Sequence, residues 1–159
     1  MKIRSSALGF TLMELILVIV LLSILSLFAA SRFMGSSSFS AYTLQERVIS
    51  VIRQVQVNRM QSNVASPDNS FRLQVSSSCV GSVAACALTG SAQDARSDVV
   101  IDKSAKFSVI SGAANTINFN LLGNPVSGAV NILIEDKHGR SRCQVEINSQ
   151  GYVSKGTCS

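Results

Sequence analysis

The chain has few of the residues that build metal and phosphate sites. It contains one histidine, His138, and its four cysteines form no Cys-x-x-Cys pair, which argues against a zinc site. No glycine-rich phosphate loop follows a predicted strand. Glu135 and Asp136 are adjacent, so on a strand they point to opposite faces and form no carboxylate pair. The sequence therefore predicts a protein that is not an enzyme and that needs neither a cofactor nor a metal.

Proline and charged residues are also scarce. Pro67 and Pro125 are the two prolines, so no proline breaks a helix before residue 67. Charged residues make up 14% of the chain and apolar residues 47%, which excludes an intrinsically disordered protein. A length of 159 residues suits one domain. The net charge of +5 does not by itself identify a nucleic-acid-binding protein.

The N-terminal part carries the apolar run LGFTLMELILVIVLLSILSLFAA. Residues Leu15–Ala30 are uncharged, and together with residues 10–12 they reach the roughly 20 residues needed to cross a bilayer as a helix. Lys2 and Arg4 precede the run and favour a cytoplasmic start. The sequence thus predicts a single-pass membrane protein whose polar remainder lies on the other side of the membrane.

Three interpretations fit this run to different degrees. A cleaved secretory signal would use the small residues around Ala30 as its cleavage site. A plain membrane anchor would use the same apolar length. Neither interpretation needs Glu14, and a carboxylate inside an apolar span is costly unless it has a partner. Glu14 is therefore a candidate functional residue.

The third interpretation comes from the order Gly-Phe-Thr-Leu-Met-Glu-Leu over residues 9–15. It resembles the N-terminus of type IV pilins, minor pilins and type II secretion pseudopilins. The resemblance implies that a prepilin peptidase cuts between Gly9 and Phe10, methylates the new Phe10 amine and leaves the apolar run on the mature protein. Glu14 of one subunit would then meet the Phe10 amine of a neighbour. The chain departs from many pilins in having no proline within or just after the run.

Four segments follow from this interpretation: a leader over residues 1–9, a transmembrane and filament-core helix over 10–30, an amphipathic half of the helix over 31–64 and a periplasmic, β-rich head over 65–159. The chain would then be a single-pass protein of the bacterial inner membrane before it enters a pilus or pseudopilus. The amphipathic half is predicted from apolar residues at helical spacing, namely Leu44, Val48, Val51, Ile52 and Val55. A continuous helix over residues 10–63 would span about 80 Å. The segment MGSSS over residues 34–38 is a candidate flexible joint.

The head is predicted to be mainly antiparallel sheet. Short alternating stretches separated by turn residues indicate strands, namely FRLQV, VVID, KFSVI, TINFNL, VNILIE, CQVEI and YVSK. The predicted fold class is therefore α+β, with the long helix packed on one sheet. The C-terminal part is also similar to the heads of GspH/FimT-like minor pilins, and the serine-rich head with paired cysteines resembles minor pilins of mannose-sensitive haemagglutinin pili.

All four cysteines, Cys79, Cys86, Cys143 and Cys158, lie after the apolar run. An even number of cysteines after an export-like N-terminus favours disulfides in an oxidising compartment. Three connectivities are possible. We favour Cys79–Cys86 and Cys143–Cys158 because each bond closes a short local loop.

A basic cluster offers a different function. Gly139-Arg140-Ser141-Arg142 matches a GRxR motif that FimT-like proteins use to bind DNA during uptake. Lys137 is adjacent, and Lys155 is expected across the next hairpin. His138, also adjacent, reads as a solvated turn residue. Guanidinium groups on one edge could contact successive phosphates, whereas the simpler interpretation is a solvated basic turn.

The sequence thus supports three functional hypotheses. The first is a minor pilin of a type IV pilus, with other pilins and a prepilin peptidase as partners and the inner membrane as its location before assembly. The second is a type II secretion pseudopilin of the GspH kind. The third is a minor pilin that binds DNA through the basic cluster.

Overall fold

The structure is a computed structural model that describes residues 11–33, 40–112 and 114–159. The chain divides into two compact units, Met1–Ser36 and Ser37–Ser159. The described part of the first unit is the helix α1, Leu12–Phe33. The second unit contains every later element. The leader, Phe10 and the candidate joint at residues 34–38 lie outside the described residues.

The second unit begins with the helix α2, Ser40–Gln61. The elements that follow are β1 (Arg72–Val75), β2 (Cys79–Ser82), α3 (Val83–Cys86), α4 (Ser91–Asp94), β3 (Val99–Ile101), β4 (Ala105–Ser111), β5 (Thr116–Asn118), β6 (Val130–Asp136), β7 (Arg142–Ile147) and β8 (Val153–Cys158). The strands form two antiparallel sheets of four strands each, in the orders β3-β2-β1-β5 and β4-β6-β7-β8.

Helix α2 forms because its apolar residues recur at helical spacing, and the face they form is buried. The predicted residues Leu44, Val48, Val51, Ile52 and Val55 are all in the core. They share one hydrophobic cluster with residues from both sheets, including Leu73 of β1 and Ile134 of β6. The helix ends at Gln61, shortly before residue 64, where the amphipathic half was predicted to end. Helix α2 therefore supplies the core against which both sheets pack.

The predicted fold class is wrong in its central feature. The fold is α+β, but the strands form two antiparallel sheets in place of the single sheet predicted, and the described residues contain no helix with the predicted transmembrane half. The split between sheets begins after β3, where the Asp102 carboxylate accepts hydrogen bonds from the backbone N–H and hydroxyl of Ser104. This turn separates β3, which pairs with β2, from β4, which pairs with β6.

The predicted membrane location is also wrong. Within the described ranges, no helix is both long enough and apolar enough to cross a membrane. The finding contradicts the predicted transmembrane segment over residues 10–30, and with it the single-pass arrangement with a periplasmic head.

Candidate functional site

Helix α1 begins at Leu12, within the pilin-like motif of residues 9–15 that contains Glu14. The hydroxyl of Thr11 accepts a hydrogen bond from the Glu14 backbone N–H at 3.3 Å. The Thr11 carbonyl accepts further hydrogen bonds from the N–H groups of Glu14 and Leu15. Thr11 is therefore the N-cap of α1, and Glu14 is an acidic residue in its first turn, where the positive end of the helix dipole favours a carboxylate.

Thr11 is a capping residue that the sequence analysis missed. The spacing Thr11-x-x-Glu14 is the capping-box pattern, in which the two side chains satisfy backbone N–H groups of the first turn. That pattern was readable from the sequence. It gives Glu14 a local structural role beside the predicted docking role, and an experiment on Glu14 has to separate the two.

Beyond its first turn, α1 presents apolar side chains to the outside. The large apolar residues from Leu12 to Leu25 are between 44% and 76% exposed. Ser23 and Ser26 donate their hydroxyl groups to the carbonyls of Ile19 and Leu22, each at 2.7 Å. Because these hydroxyls are satisfied within the helix, they add little polarity to its surface. Over residues 12–26, whose side chains the structure describes, α1 is thus an apolar surface with one charged residue, Glu14.

The structure contains the two disulfides that the sequence analysis favoured. Cys79 is bonded to Cys86 and Cys143 to Cys158, and no cysteine is free. The first bond joins β2 to the end of α3, and the second joins the neighbouring strands β7 and β8. Both bonds fasten elements of the second unit and leave no thiol for redox chemistry.

Three residues of the predicted basic cluster form ion pairs, each with a different carboxylate. The Arg142 Nε lies 2.8 Å from Glu135 Oε1, its cross-strand neighbour. The Arg140 Nε lies 3.9 Å from Asp136 Oδ2. Lys155 forms its ion pair with Glu46 on α2, away from the hairpin turn. These pairs neutralise much of the positive charge that DNA binding would use.

The turn between β6 and β7 contains two further exposed residues, Lys137 and His138. Lys137 donates its backbone N–H to the Ser104 carbonyl at 2.7 Å, and both Lys137 and His138 are exposed. Gly139 has a φ of 68°, a conformation that favours glycine. The GRxR sequence therefore lies at a tight hairpin turn, and the positive φ of Gly139 explains the glycine at this position.

A buried carboxylate directly before β3, that of Asp98, has a perturbed pKa. Burial raises the pKa of Asp98, but hydrogen bonds from Arg96 and Ser82 and the charge of Arg96 outweigh that effect and hold the pKa below its usual value. The Arg96 Nε and Nη2 atoms lie 2.8 and 2.7 Å from the two carboxylate oxygens. This bidentate pair lies within the segment between α4 and β3, and the backbone N–H of Ser82, the last residue of β2, donates to the Asp98 carbonyl at 3.0 Å.

We expect this pair to contribute to acid sensitivity. A depressed folded-state pKa stabilises the fold above the unfolded-state value of about 3.9, and the contribution disappears as the pH falls through the folded-state value. Arg96→Gln should therefore lower the unfolding midpoint most above about pH 5 and least near pH 2, with a loss of at most about 1 kcal/mol because Arg96 is partly exposed. Thermal unfolding measured from pH 2 to 7 checks this.

Lys103→Gln is the matched control, because Lys103 is exposed and forms no ion pair within the part of the chain that the structure describes. It removes the same charge without touching Asp98. Equal pH profiles for the two variants would show that the Arg96–Asp98 pair does not cause the acid sensitivity.

Comparison with known proteins adds no relative. No known protein family, no curated protein and no solved structure matches the chain.

Proposed function

We propose that the chain is a minor pilin, a subunit that enters a type IV pilin-like filament through its N-terminal helix. The observation that carries the proposal is the described part of α1, whose large apolar side chains are exposed and whose first turn holds Glu14. The second unit, in contrast, buries a regular hydrophobic core. An exposed apolar surface of this kind indicates an interaction site.

The proposed occupant of that surface is the same helix of neighbouring subunits. Packing of apolar helices removes their side chains from water and supplies the driving force. Cleavage after Gly9 would create an amine at Phe10, and the Glu14 carboxylate of the next subunit would pair with it. Either charge alone in a dry helix bundle is strongly unfavourable, so the pair would set the register of docking.

The test must separate docking from helix capping. In the host that carries the chain, the native copy is replaced by wild type, Glu14→Ala, Glu14→Gln or Thr11→Ala, and sheared filaments are probed with an antibody to the second unit. We expect both Glu14 variants to lower incorporation more than about 100-fold, because an unpaired buried charge costs about 3–5 kcal/mol. Thr11→Ala removes one cap, which costs only about 1 kcal/mol, and should assemble.

Glu14→Gln is the decisive variant, because glutamine also serves in a capping box. If Glu14→Gln assembles like wild type while Glu14→Ala and Thr11→Ala fail, Glu14 acts as a capping residue and the docking role is wrong. Mass spectrometry of the mature chain supplies an independent check. We expect a methylated terminus at Phe10, and a terminus at Ser31 would instead show a cleaved secretory signal.

A further inference from the structure

A cavity of about 430 Å³ lies in the second unit, beside the C-terminal end of α2 and the paired strands β1 and β5. This volume is in the range of small-molecule sites. Its lining includes two guanidinium groups, two side-chain amides and two apolar side chains, from Arg59, Arg72, Asn118, Asn120, Pro67 and Val126. Among the described residues that line it, none carries a carboxylate.

Arg59 places a buried positive charge in the cavity wall. The residue is 3% exposed. Its Nε donates to the Phe119 carbonyl at 3.1 Å, and its Nη1 donates to the Ser62 hydroxyl and the Val64 carbonyl, both at 2.8 Å. A longer bond of 3.3 Å joins Nη2 to the Ala65 carbonyl. These acceptors are neutral, so the hydrogen bonds hold the guanidinium in place without neutralising its charge.

Arg72 adds a second positive charge with donors to spare. Its Nε donates to Asn118 Oδ1 at 2.8 Å across the β1–β5 pair. Within the described ranges Arg72 has no ion pair, and the Nη groups form no hydrogen bond. Because a guanidinium can only donate, these groups need an acceptor from outside the protein or water.

The two asparagines that line the cavity also have side-chain donors to spare. Asn118 Oδ1 is occupied by Arg72, and Asn120 Oδ1 accepts the backbone N–H groups of Leu122 and Asn124, each at 2.9 Å. Backbone N–H and guanidinium groups only donate, so they determine which amide atom is oxygen. The NH₂ group of each amide remains for a ligand. Apart from the Ser66 hydroxyl, the polar side chains of the lining therefore offer donors.

We propose that this cavity binds a small molecule that carries an oxyanion, and that an acidic sugar is the form that uses the whole site. A carboxylate or sulfate supplies acceptors and negative charge to Arg72 and the nearby Arg59, as charge-assisted hydrogen bonding requires. The amides of Asn118 and Asn120 suit hydroxyl oxygens. Pro67 and the exposed Val126 give an apolar edge for a sugar ring. This site does not depend on the proposed filament docking.

The test titrates the full chain, kept in solution with a mild detergent, with D-glucuronate, D-glucose or sodium sulfate. Binding is followed by calorimetry and by NMR shifts of the Asn118 and Phe119 amides. We expect glucuronate to bind more tightly than sulfate and glucose not to bind. Arg72→Gln keeps a donor for Asn118 but loses the charge, and should weaken glucuronate binding at least about tenfold.

Arg140→Gln is the matched control, because it removes an exposed guanidinium away from the cavity and should leave binding unchanged. Sulfate binding as tight as glucuronate would still support the oxyanion site and would identify the bare anion as its ligand. The proposal is overturned if neither anion shifts the Asn118 and Phe119 amides of the wild type, if glucose binds as well as glucuronate, or if a folded Arg72→Gln variant binds like wild type. The shifts in the wild type decide the question even if Arg72→Gln does not fold.

Discussion

Replacing Ile52 with alanine is expected to lower the free energy of unfolding of the second unit by about 2–5 kcal/mol. Ile52 is 0% exposed and lies in the middle of α2, in the cluster shared by both sheets. The truncation leaves a cavity that two sheets and a helix would have to move together to fill. Denaturant unfolding followed by circular dichroism measures the loss.

Val57→Ala is the control for this prediction, since Val57 belongs to the same helix but is 46% exposed. Its loss should be below about 1 kcal/mol, because a surface substitution of this kind creates no cavity. Equal losses for the two variants would mean that α2 does not form the centre of the core. A change in the denaturant slope would instead indicate a change in the compactness of the unfolded chain.

The second large effect is expected from the Cys143–Cys158 disulfide. Replacing both cysteines with alanine should cost about 3 kcal/mol, because the bond closes a separation of 15 residues in the unfolded chain. It also fastens β8, an edge strand that pairs only with β7 in the described sheet. We therefore expect faster amide hydrogen exchange over β8 as well as a lower unfolding midpoint.

The Cys79–Cys86 bond is the matched comparison. It closes a separation of 7 residues, so the same chain-entropy relation gives a smaller cost of about 2 kcal/mol. Cys79 also belongs to a small separate cluster with Ala85 and Val99. If loss of Cys79–Cys86 is the more damaging change, or if β8 keeps its protection without Cys143–Cys158, the explanation by loop length and strand anchoring is wrong.

The elements predicted best were those governed by local pattern. The stripe from Leu44 to Val55 predicted the buried face of α2, because side chains three and four residues apart share a helix face. Alternation likewise predicted β6, where Val130, Ile132 and Ile134 are buried in turn. Strand β2 was missed because its four residues, Cys79–Ser82, are all buried, so no alternation marks it.

The candidate sites depend on contacts between distant residues, which local sequence patterns do not predict. The run of basic residues from Lys137 to Arg142 suggested a free cationic surface, but Arg142 pairs with Glu135 across the hairpin and Lys155 with Glu46 of α2. The donor-lined cavity was invisible in the sequence, since Arg59, Arg72 and Asn118 lie far apart along it. Thr11 differs, because the spacing Thr11-x-x-Glu14 is a local pattern from which its capping role could have been predicted.

The sequence by itself therefore determined the amphipathic face of α2, most of the strands and the acid in the first turn of α1, and it favoured the two short-range disulfides among three possible connectivities. These features depend on residues that are close along the chain, where helix and strand periodicity fixes which side chains meet. Only the tertiary structure decided the division into two sheets, the pairing of the basic residues with carboxylates, and the cavity between Arg59 and Arg72. Those depend on which distant strands pair, and neither periodicity nor composition encodes that pairing.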